Sequence, residues 1–387
     1  MRSTPAVLAK GFRPFFLLAA AFAVAFLPLW LATYTGHLDL AGYWTAPTWH
    51  GHEMIFGFTM AVVAGFLLTA VGNWTGMETA TGGALGGLCA LWVVGRLAVI
   101  GAGWLPPLVV AVADLLFIAA LAFAVGRPLV LTQNKRNFVF LAVMGFLWTA
   151  NLAMHLSALG VVSGWERPAL LFSLDLIVLI VLIVGGRVIP MFTRNATAAK
   201  VESHAWVERI VFGGVIASMV LQLLAPANML AGAAATIAGV AVGARMIHWG
   251  AQHTGGKPIL WVLHLGHAWI AVGFLMRAAS VLWPQISASM AVHALTVGAI
   301  GMLTLGMMAR VALGHTGRGL KVARPIAWAF AAVALAALAR TIFPAIFTGS
   351  YVDLMVVSGV LWSLAFVVYL VIYTPILVQP RADGRPG

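Results

Sequence analysis

Eleven histidines occur in a chain of 387 residues that is 62% hydrophobic and only 8% charged. Several of them lie in segments long enough to cross a bilayer, where an ionisable side chain is costly unless another group binds it. Imidazole nitrogen is also a common ligand of haem iron, copper and zinc. The histidines therefore indicate metal or haem binding, proton transfer, or hydrogen bonds among themselves.

The segment Trp49–Met54 combines His50, His52 and Glu53. A carboxylate beside a ligand histidine can orient the ring or carry protons, and Glu53 lies within an apolar run where its charge needs a reason. If the chain bends at Gly51, both rings can point inward. We expect His50 and His52 to bind a metal and Glu53 to serve as a catalytic proton carrier; the alternative is an interfacial histidine pair in contact with water.

Four more histidines are candidate metal ligands. His293 is expected near the outer start of a later helix, at the depth of His52, and His155 in the same outer third of the membrane. His264 and His267 are three residues apart and share a helix face, which suits a shared metal or a hydrogen-bonded pair. We predict metal binding by His155, His264, His267 and His293, with satisfied core histidines as the alternative.

Three arginines, Arg96, Arg277 and Arg340, lie inside apolar segments. A guanidinium in hydrocarbon needs an anion, and bidentate pairing with a carboxylate satisfies both groups. The available partners are the carboxylates of Glu53, Asp114 and Asp175 or the propionates of a haem. We expect the three arginines to bind the cofactor, with structural Arg–Asp pairing as the alternative.

The hydrophobic segments predict an all-α, polytopic transmembrane helical bundle of about twelve helices. The mean hydropathy is +1.02, and each spanning helix needs about 20 apolar residues. The runs lack the two-residue alternation of a transmembrane β-barrel. They use most of the chain, so we expect a single transmembrane domain over residues 1–387. The predicted spans are 14–34, 50–72, 82–101, 106–126, 138–160, 168–190, 208–224, 228–247, 259–283, 288–313, 323–346 and 351–377.

The net charge of +12 follows the positive-inside rule and gives no reason to expect nucleic acid as a partner. If the N-terminus is inside, almost all loop cations fall on the inner side, and both termini are cytoplasmic. The lone Cys89 excludes an internal disulfide and a c-type haem attachment motif. The inner basic residues are Arg127, Lys135, Arg136, Arg194, Lys200, Lys257, Arg318, Lys321, Arg324, Arg381 and Arg385.

Two segments share one pattern of His, Gly, Gly, Thr and Gly with offsets of 5, 13, 23 and 24 from the histidine. One contains His52, Gly57, Gly65, Thr75 and Gly76, and the other contains His293, Gly298, Gly306, Thr316 and Gly317. The Gly185–Asn195 segment, where Gly-Gly and Pro190 predict a helix end, could be a third copy without the histidine. Three four-helix units would resemble the architecture of haem-copper oxidases, and by that fold-level analogy His52 and His293 would bind one haem.

The sequence resembles the NnrS family of bacterial membrane proteins over essentially its whole length. The resemblance implies a twelve-helix protein of the inner membrane that contains haem and copper and is associated with denitrification and nitric oxide stress. The matching blocks are Lys10–Phe16, Trp49–Met54, Ala64–Ala70, Asn73–Gly76, Gly185–Asn195, His264–His267, His293–Met302, Met307–Val311 and Gly314–Arg318.

The resemblance leads us to expect non-covalent haem b, copper, and nitric oxide as substrate or ligand. One version is a nitric oxide reductase, which would need a quinol or an electron-donor protein because no soluble electron-transfer domain is evident. Another is a protein that binds or buffers nitric oxide without turnover. A third, from a different class, is a small-solute transporter without haem, in which the histidines and arginines line a path near the midplane.

Overall fold

The computed structural model describes residues 5–40, 42–385 and 387 and is all-helical, with no strand among them. Twelve helices in these ranges are long and apolar enough to cross a membrane, which confirms the prediction. They are α1 (Phe12–Tyr34), α2 (Ala46–Thr75), α3 (Gly82–Ile100), α4 (Pro107–Leu131), α5 (Lys135–Ala158), α6 (Glu166–Ala196), α7 (Ala205–Leu224), α8 (Met229–Met246), α9 (Pro258–Leu282), α10 (Ala288–His315), α11 (Arg324–Ile346) and α12 (Thr348–Val378).

Local sequence sets several helix ends. The Asn228 side chain accepts a hydrogen bond from the Leu230 N–H at 2.8 Å and caps α8, and Ser287 caps α10 in the same way through the Met290 N–H. Proline occupies the first turn of α4 and α9, where its missing N–H costs no hydrogen bond. Between their ends, these apolar helices pair their backbone N–H and C=O groups in internal hydrogen bonds, as a bilayer requires.

Among the helix boundaries that differ from those predicted, two bear on the candidate residues. Helix α6 continues through Pro190 to Ala196 instead of ending at residue 190, so the Gly-Gly and Pro signals do not stop it. Membrane helices tolerate such residues where neighbouring groups satisfy the freed backbone. Helix α2 begins at Ala46, so Gly51 lies within the helix and not at a bend before it. There Gly51 permits close approach of the Leu170 side chain.

The described chain divides into two compact units. The first consists of 1–176, 311–319 and 369–387, and the second of 177–310 and 320–368. Helices α6, α10 and α12 each contribute to both. The single transmembrane domain remains a prediction.

The two copies of the sequence pattern have the same local structure. A π-helical stretch follows His52 at Glu53–Thr59, and another follows His293 at Ala294–Gly301. Such stretches are rare and frequently occur at functional sites. The closing glycines, Gly76 and Gly317, both adopt a left-handed conformation, with φ of 68° and 73°. The pattern is therefore a structural repeat, whereas the third copy and the threefold arrangement remain predictions.

In both units, the helix that precedes the repeated segment packs against its two spaced glycines. In the first unit, a Cβ on Gly57 would lie 2.8 Å from the Phe22 ring, and one on Gly65 would lie 2.9 Å from Phe16. In the second unit, Gly298 and Gly306 have the same relation to Trp269 and Val262 of α9, at 2.6 and 2.8 Å. The glycines let the two helices of each pair approach closely.

Candidate metal centre

Four helices of the first unit bring polar side chains to one common end. His52 lies near the start of α2, Arg96 near the end of α3, Asp114 near the start of α4 and His155 near the end of α5. Because consecutive spanning helices run in opposite directions, these starts and ends coincide. All four side chains are buried, with at most 4% of any of them exposed.

His52, Asp114 and His155 form a group that could bind a metal ion. One potential ligand atom from each lies within 4.8 Å of the others. The Asp114 Oδ2 is 3.2 Å from the His52 Nε2 and 3.0 Å from the His155 Nε2. Tetrahedral ligands bound at about 2.0–2.1 Å from a metal stand roughly 3.3 Å apart. The spacing of these atoms is therefore close to that of a metal's first coordination shell.

The donor set of this group suits a transition metal. Two imidazoles and one carboxylate are ligands that zinc, copper, iron and nickel accept. Asn151 contacts the same group: its Nδ2 donates to the Asp114 Oδ2 at 2.6 Å, and its Oδ1 lies 2.9 Å from the His52 Nε2. The amide oxygen only accepts, so the His52 Nε2 donates to it here, and a metal bound at this nitrogen would replace that hydrogen bond.

Arg96 pairs with Glu53 and Asp114, two of the partners expected from the sequence. Its Nη1 donates to the Glu53 Oε1 and its Nη2 to the Asp114 Oδ1. Glu53 Oε1 also lies 2.9 Å from the His52 Nδ1. Its second oxygen, Oε2, is buried and has no hydrogen-bond partner among the described residues. The proton-carrying role of Glu53 and a propionate contact of Arg96 remain predictions.

Sequence reasoning did not assign Asp114, Tyr43 or Trp44 to this group. The Tyr43 Oη lies 3.0 Å from the His155 Nδ1, and the Trp44 ring packs 4.4 Å from the His52 ring centre. Burial raises the pKa of Tyr43 to about 12, so its hydroxyl stays protonated at neutral pH. Asp114 could have been found from the sequence, because it is a carboxylate within an apolar segment. Nothing in the sequence pointed to the loop residues Tyr43 and Trp44.

His50 lies outside the group formed by His52. The two residues are on different faces of α2, and the His50 ring stacks on Trp30 of α1 with ring centres 4.0 Å apart. The helix continues through Gly51, so the expected bend that would turn both rings to one side does not occur there. Metal binding by His50 remains a prediction.

In the second unit, Ser289 connects His293 and Arg340. The His293 Nδ1 donates to the Ser289 carbonyl oxygen at 2.7 Å, which leaves the ring's lone pair on Nε2. The Arg340 Nη2 donates to the Ser289 Oγ at 3.2 Å and to the Tyr351 Oη at 3.0 Å. Arg277, elsewhere in this unit, donates to the Ser218 Oγ at 3.4 Å. Cofactor binding by these residues remains a prediction.

His264 and His267 are both buried in the second unit, on one face of α9 as expected. The His264 Nε2 contacts Thr193 of α6, and the His267 ring packs against Trp249 with ring centres 4.7 Å apart. Neither Thr193 nor Trp249 was singled out from the sequence. Metal binding by these two histidines remains a prediction.

The fold and the buried polar group define a class: a multi-pass membrane protein of twelve candidate spans, with a His–Asp–His group that could bind a metal ion. A family model described as NnrS protein matches residues 6–381. The chain therefore belongs to the NnrS family, as the sequence blocks indicated. A search of curated proteins finds no match to it.

Proposed function

We propose that this protein binds copper and non-covalent haem b between its membrane helices and acts on nitric oxide, by reduction or by detoxification under nitrosative stress. Family membership supports the link to nitric oxide. The observation that carries the proposal is the buried group of His52, Asp114 and His155. Nitric oxide is small, uncharged and lipid-soluble, so it can reach a buried site through the bilayer.

His52, Asp114 and His155 would hold the metal, which when bound supplies an open position for nitric oxide. Binding requires a lone pair on the His155 Nε2, which places the ring proton on Nδ1, 3.0 Å from the Tyr43 Oη. The phenol oxygen would accept that proton in a hydrogen bond and so orient the ring, as outer partners of ligand histidines do. Arg96 would hold Asp114 and Glu53 in place.

His293 is our candidate haem ligand, and Arg340 our candidate partner for a propionate. The hydrogen bond to the Ser289 carbonyl fixes the tautomer that a metal-bound histidine needs. Arg340 is 6% exposed, and its Nη1 has no hydrogen-bond partner among the described residues. A buried guanidinium without a carboxylate partner suits an anionic ligand. Arg277 is our candidate for a second propionate partner, and haem ligation by His52 is the alternative to its place in the metal group.

We place the protein in the bacterial inner membrane with both termini in the cytoplasm. The bilayer is its environment, because twelve described helices are apolar enough to span one. The basic loops on one predicted side support the orientation. A quinol or an electron-donor protein would supply electrons if nitric oxide is reduced.

Metal content of purified variants tests the proposal. We expect His155→Ala and Asp114→Ala to lose at least one metal equivalent, and His253→Ala, an exposed histidine, to keep the full content. If His155→Ala and Asp114→Ala both fold and retain every metal, the assignment of this site is wrong. Asp114→Asn keeps the shape and removes the charge, so it should weaken binding less than alanine does.

Nitric oxide assays on the same protein distinguish its two modes of action. A reductase converts nitric oxide to nitrous oxide when an electron donor is present, whereas a buffering protein binds nitric oxide tightly and releases it unchanged. We expect spectral changes on nitric oxide addition in the wild type and smaller ones in His155→Ala. A wild-type protein that carries its metals but shows no response to nitric oxide would contradict the function.

A further inference from the structure

Arg310, on α10 in the second unit, is a buried cation to which no described residue offers an opposite charge. It is 8% exposed, and its guanidinium carbon lies 3.7 Å from the centre of the Phe192 ring of α6. No hydrogen bond or ion pair joins its nitrogens to a described residue. Arg245 in the same unit, by contrast, is bound by both oxygens of Glu208 at 2.7 and 2.6 Å. A buried guanidinium that lacks such a partner indicates an anionic ligand.

Three helices of the second unit meet beside Arg310. Lys257, at the start of α9, donates to the Ala196 carbonyl oxygen at the end of α6. Gly306 of α10 packs on Val262 of α9. Because consecutive spanning helices are antiparallel, Arg310, one turn beyond Gly306, faces the first turn of α9. Arg310 and Lys257 are therefore two positive charges at one helix junction, and no described carboxylate lies within ion-pair distance of either.

The depth of Arg310 matches that of lipid phosphate groups. Helix α10 has 28 residues, so it is about 42 Å long, about 12 Å longer than the hydrocarbon core of a bilayer. If it extends equally on both sides, about 6 Å of its inner end lies beyond that core. Arg310 is about 8 Å from the end of the helix at His315. The guanidinium therefore lies close to the boundary at which phospholipid phosphates are found.

A phosphate group suits the chemistry of this junction. The Phe192 ring covers one face of the guanidinium, and the N–H groups at its edge remain able to donate. The arginine fork matches two oxygens of one phosphate. A phosphodiester carries one negative charge and compensates the buried charge of Arg310. The additional charge of Lys257 favours a lipid with a net negative charge over a zwitterionic one.

We propose that Arg310, with Lys257 beside it, binds the phosphate group of an anionic phospholipid of the inner leaflet. The bound lipid would join the inner ends of α6, α9 and α10. A free phosphate ion offers the same oxygens, and the experiment below separates the two sources. The site includes none of the residues proposed to bind metal or haem, so it does not depend on nitric oxide chemistry.

Lipid titration of the full-length protein tests the site. Delipidated protein in detergent is titrated with phosphatidylglycerol, and native mass spectra and the unfolding temperature report binding. We expect one tightly bound lipid in the wild type and affinity at least about 10-fold weaker in Arg310→Gln, because hydrogen bonds to a charged group are lost. Arg310→Lys keeps the charge without the fork and should be intermediate. Arg324→Gln, which removes an exposed charge on the same predicted side, should bind as the wild type does.

Two further titrations identify the source of the phosphate. Diacylglycerol has the acyl chains without the phosphate, and we expect it to bind weakly and equally to the wild type and Arg310→Gln. Inorganic phosphate has no acyl chains, and we expect it to stabilise the wild type less than phosphatidylglycerol does. If inorganic phosphate stabilises as strongly and Arg310→Gln abolishes that effect, the phosphate site stands and its ligand is the free ion.

Equal phosphatidylglycerol affinity in the wild type and Arg310→Gln would overturn this inference, and so would diacylglycerol binding as tight as that of phosphatidylglycerol. Equal lipid affinity together with loss of haem from Arg310→Gln would assign the arginine to a propionate instead. If Arg310→Gln fails to fold, Arg310→Lys and Lys257→Gln take its place. Arg310→Gln should keep its metals and its response to nitric oxide, so this inference and the proposed function can fail independently.

Discussion

Arg96 compensates two buried carboxylates, those of Glu53 and Asp114. Both carboxylates also contact His52. The arginine therefore positions the candidate metal ligands and also compensates the negative charges of the two acids. Removal of one partner from a buried ion pair leaves an uncompensated charge, which costs about 3–5 kcal/mol. The guanidinium is therefore a structural requirement of this site.

We predict that Arg96→Ala markedly lowers the thermal stability of the purified protein. Tryptophan fluorescence during heating in detergent measures it. Arg96→Lys restores the charge but not the two-pronged geometry, so its stability should lie between those of alanine and wild type. The exposed Arg209 provides the control, since Arg209→Ala should unfold at the same temperature as the wild type. An equal unfolding temperature in Arg96→Ala would contradict the pairing.

Tyr43 gives a pH dependence with a definite sign. Because its pKa is raised to about 12, the folded protein holds this proton more tightly than the unfolded chain does. Its contribution to stability is therefore complete below about pH 10, the ordinary tyrosine value, and is lost between about pH 10 and 12. We predict that stability falls less steeply over this range in Tyr43→Phe. Identical pH profiles would contradict the raised pKa of the Tyr43 hydroxyl.

The π-helical stretches of α2 and α10 start directly after His52 and His293. The extra residue in a π turn changes the direction in which following side chains point. In the first unit, Glu53 begins the stretch and meets Arg96 beside the metal group. In the second unit Ala294 takes that place. The first residue of the repeated π-helical stretch is therefore a carboxylate beside the metal group in the first unit and an uncharged alanine in the second.

We predict that Gly57→Ala destabilises the first unit and lowers its metal content. The added methyl group would lie 2.8 Å from Phe22 and 3.2 Å from the Arg96 Cδ, so the ring or the arginine must shift. Overpacking of this kind costs about 1–3 kcal/mol. Gly145→Ala in α5 meets nothing within 4 Å and serves as the matched control. Equal stability and metal content in both variants would rule out the close packing at Gly57.

The sequence predicted the helices better than the site. Long apolar runs identify spanning helices directly, and the spaced glycines revealed the repeat of α2 and α10. The rule that buried charges need partners identified His52, Glu53, Arg96 and His155 separately. Spacing along one helix, however, does not show which helices are neighbours, so Asp114 was not grouped with the two histidines. The end of α6 was missed because surrounding helices can satisfy the backbone freed by Pro190.

The distribution of loop charges gives the whole molecule a predicted orientation. Basic residues fall almost entirely on one side of the twelve spans, and the positive-inside rule places that side in the cytoplasm. On this orientation, the ends of the helices that carry His52, Asp114 and His155 face the outer surface. The His264–His267 pair lies nearer the inner end of its helix.

Single-cysteine labelling tests the orientation. With the only native cysteine, Cys89, replaced by alanine, Ser163→Cys and Gly319→Cys place one thiol in an exposed loop on each predicted side. We predict that a membrane-impermeant maleimide labels Ser163→Cys in spheroplasts and labels Gly319→Cys only after lysis. The reverse pattern would place both termini outside.

The absorption spectrum of the purified protein, oxidised and dithionite-reduced, with metal analysis of the same sample, tests the central proposal most directly. We predict sharp b-type haem bands and stoichiometric copper. A colourless, copper-free protein, still so after haem-supplemented expression, would contradict the proposal. The buried histidines would then form a polar pathway, and a small-solute transporter would become the better account of the chain.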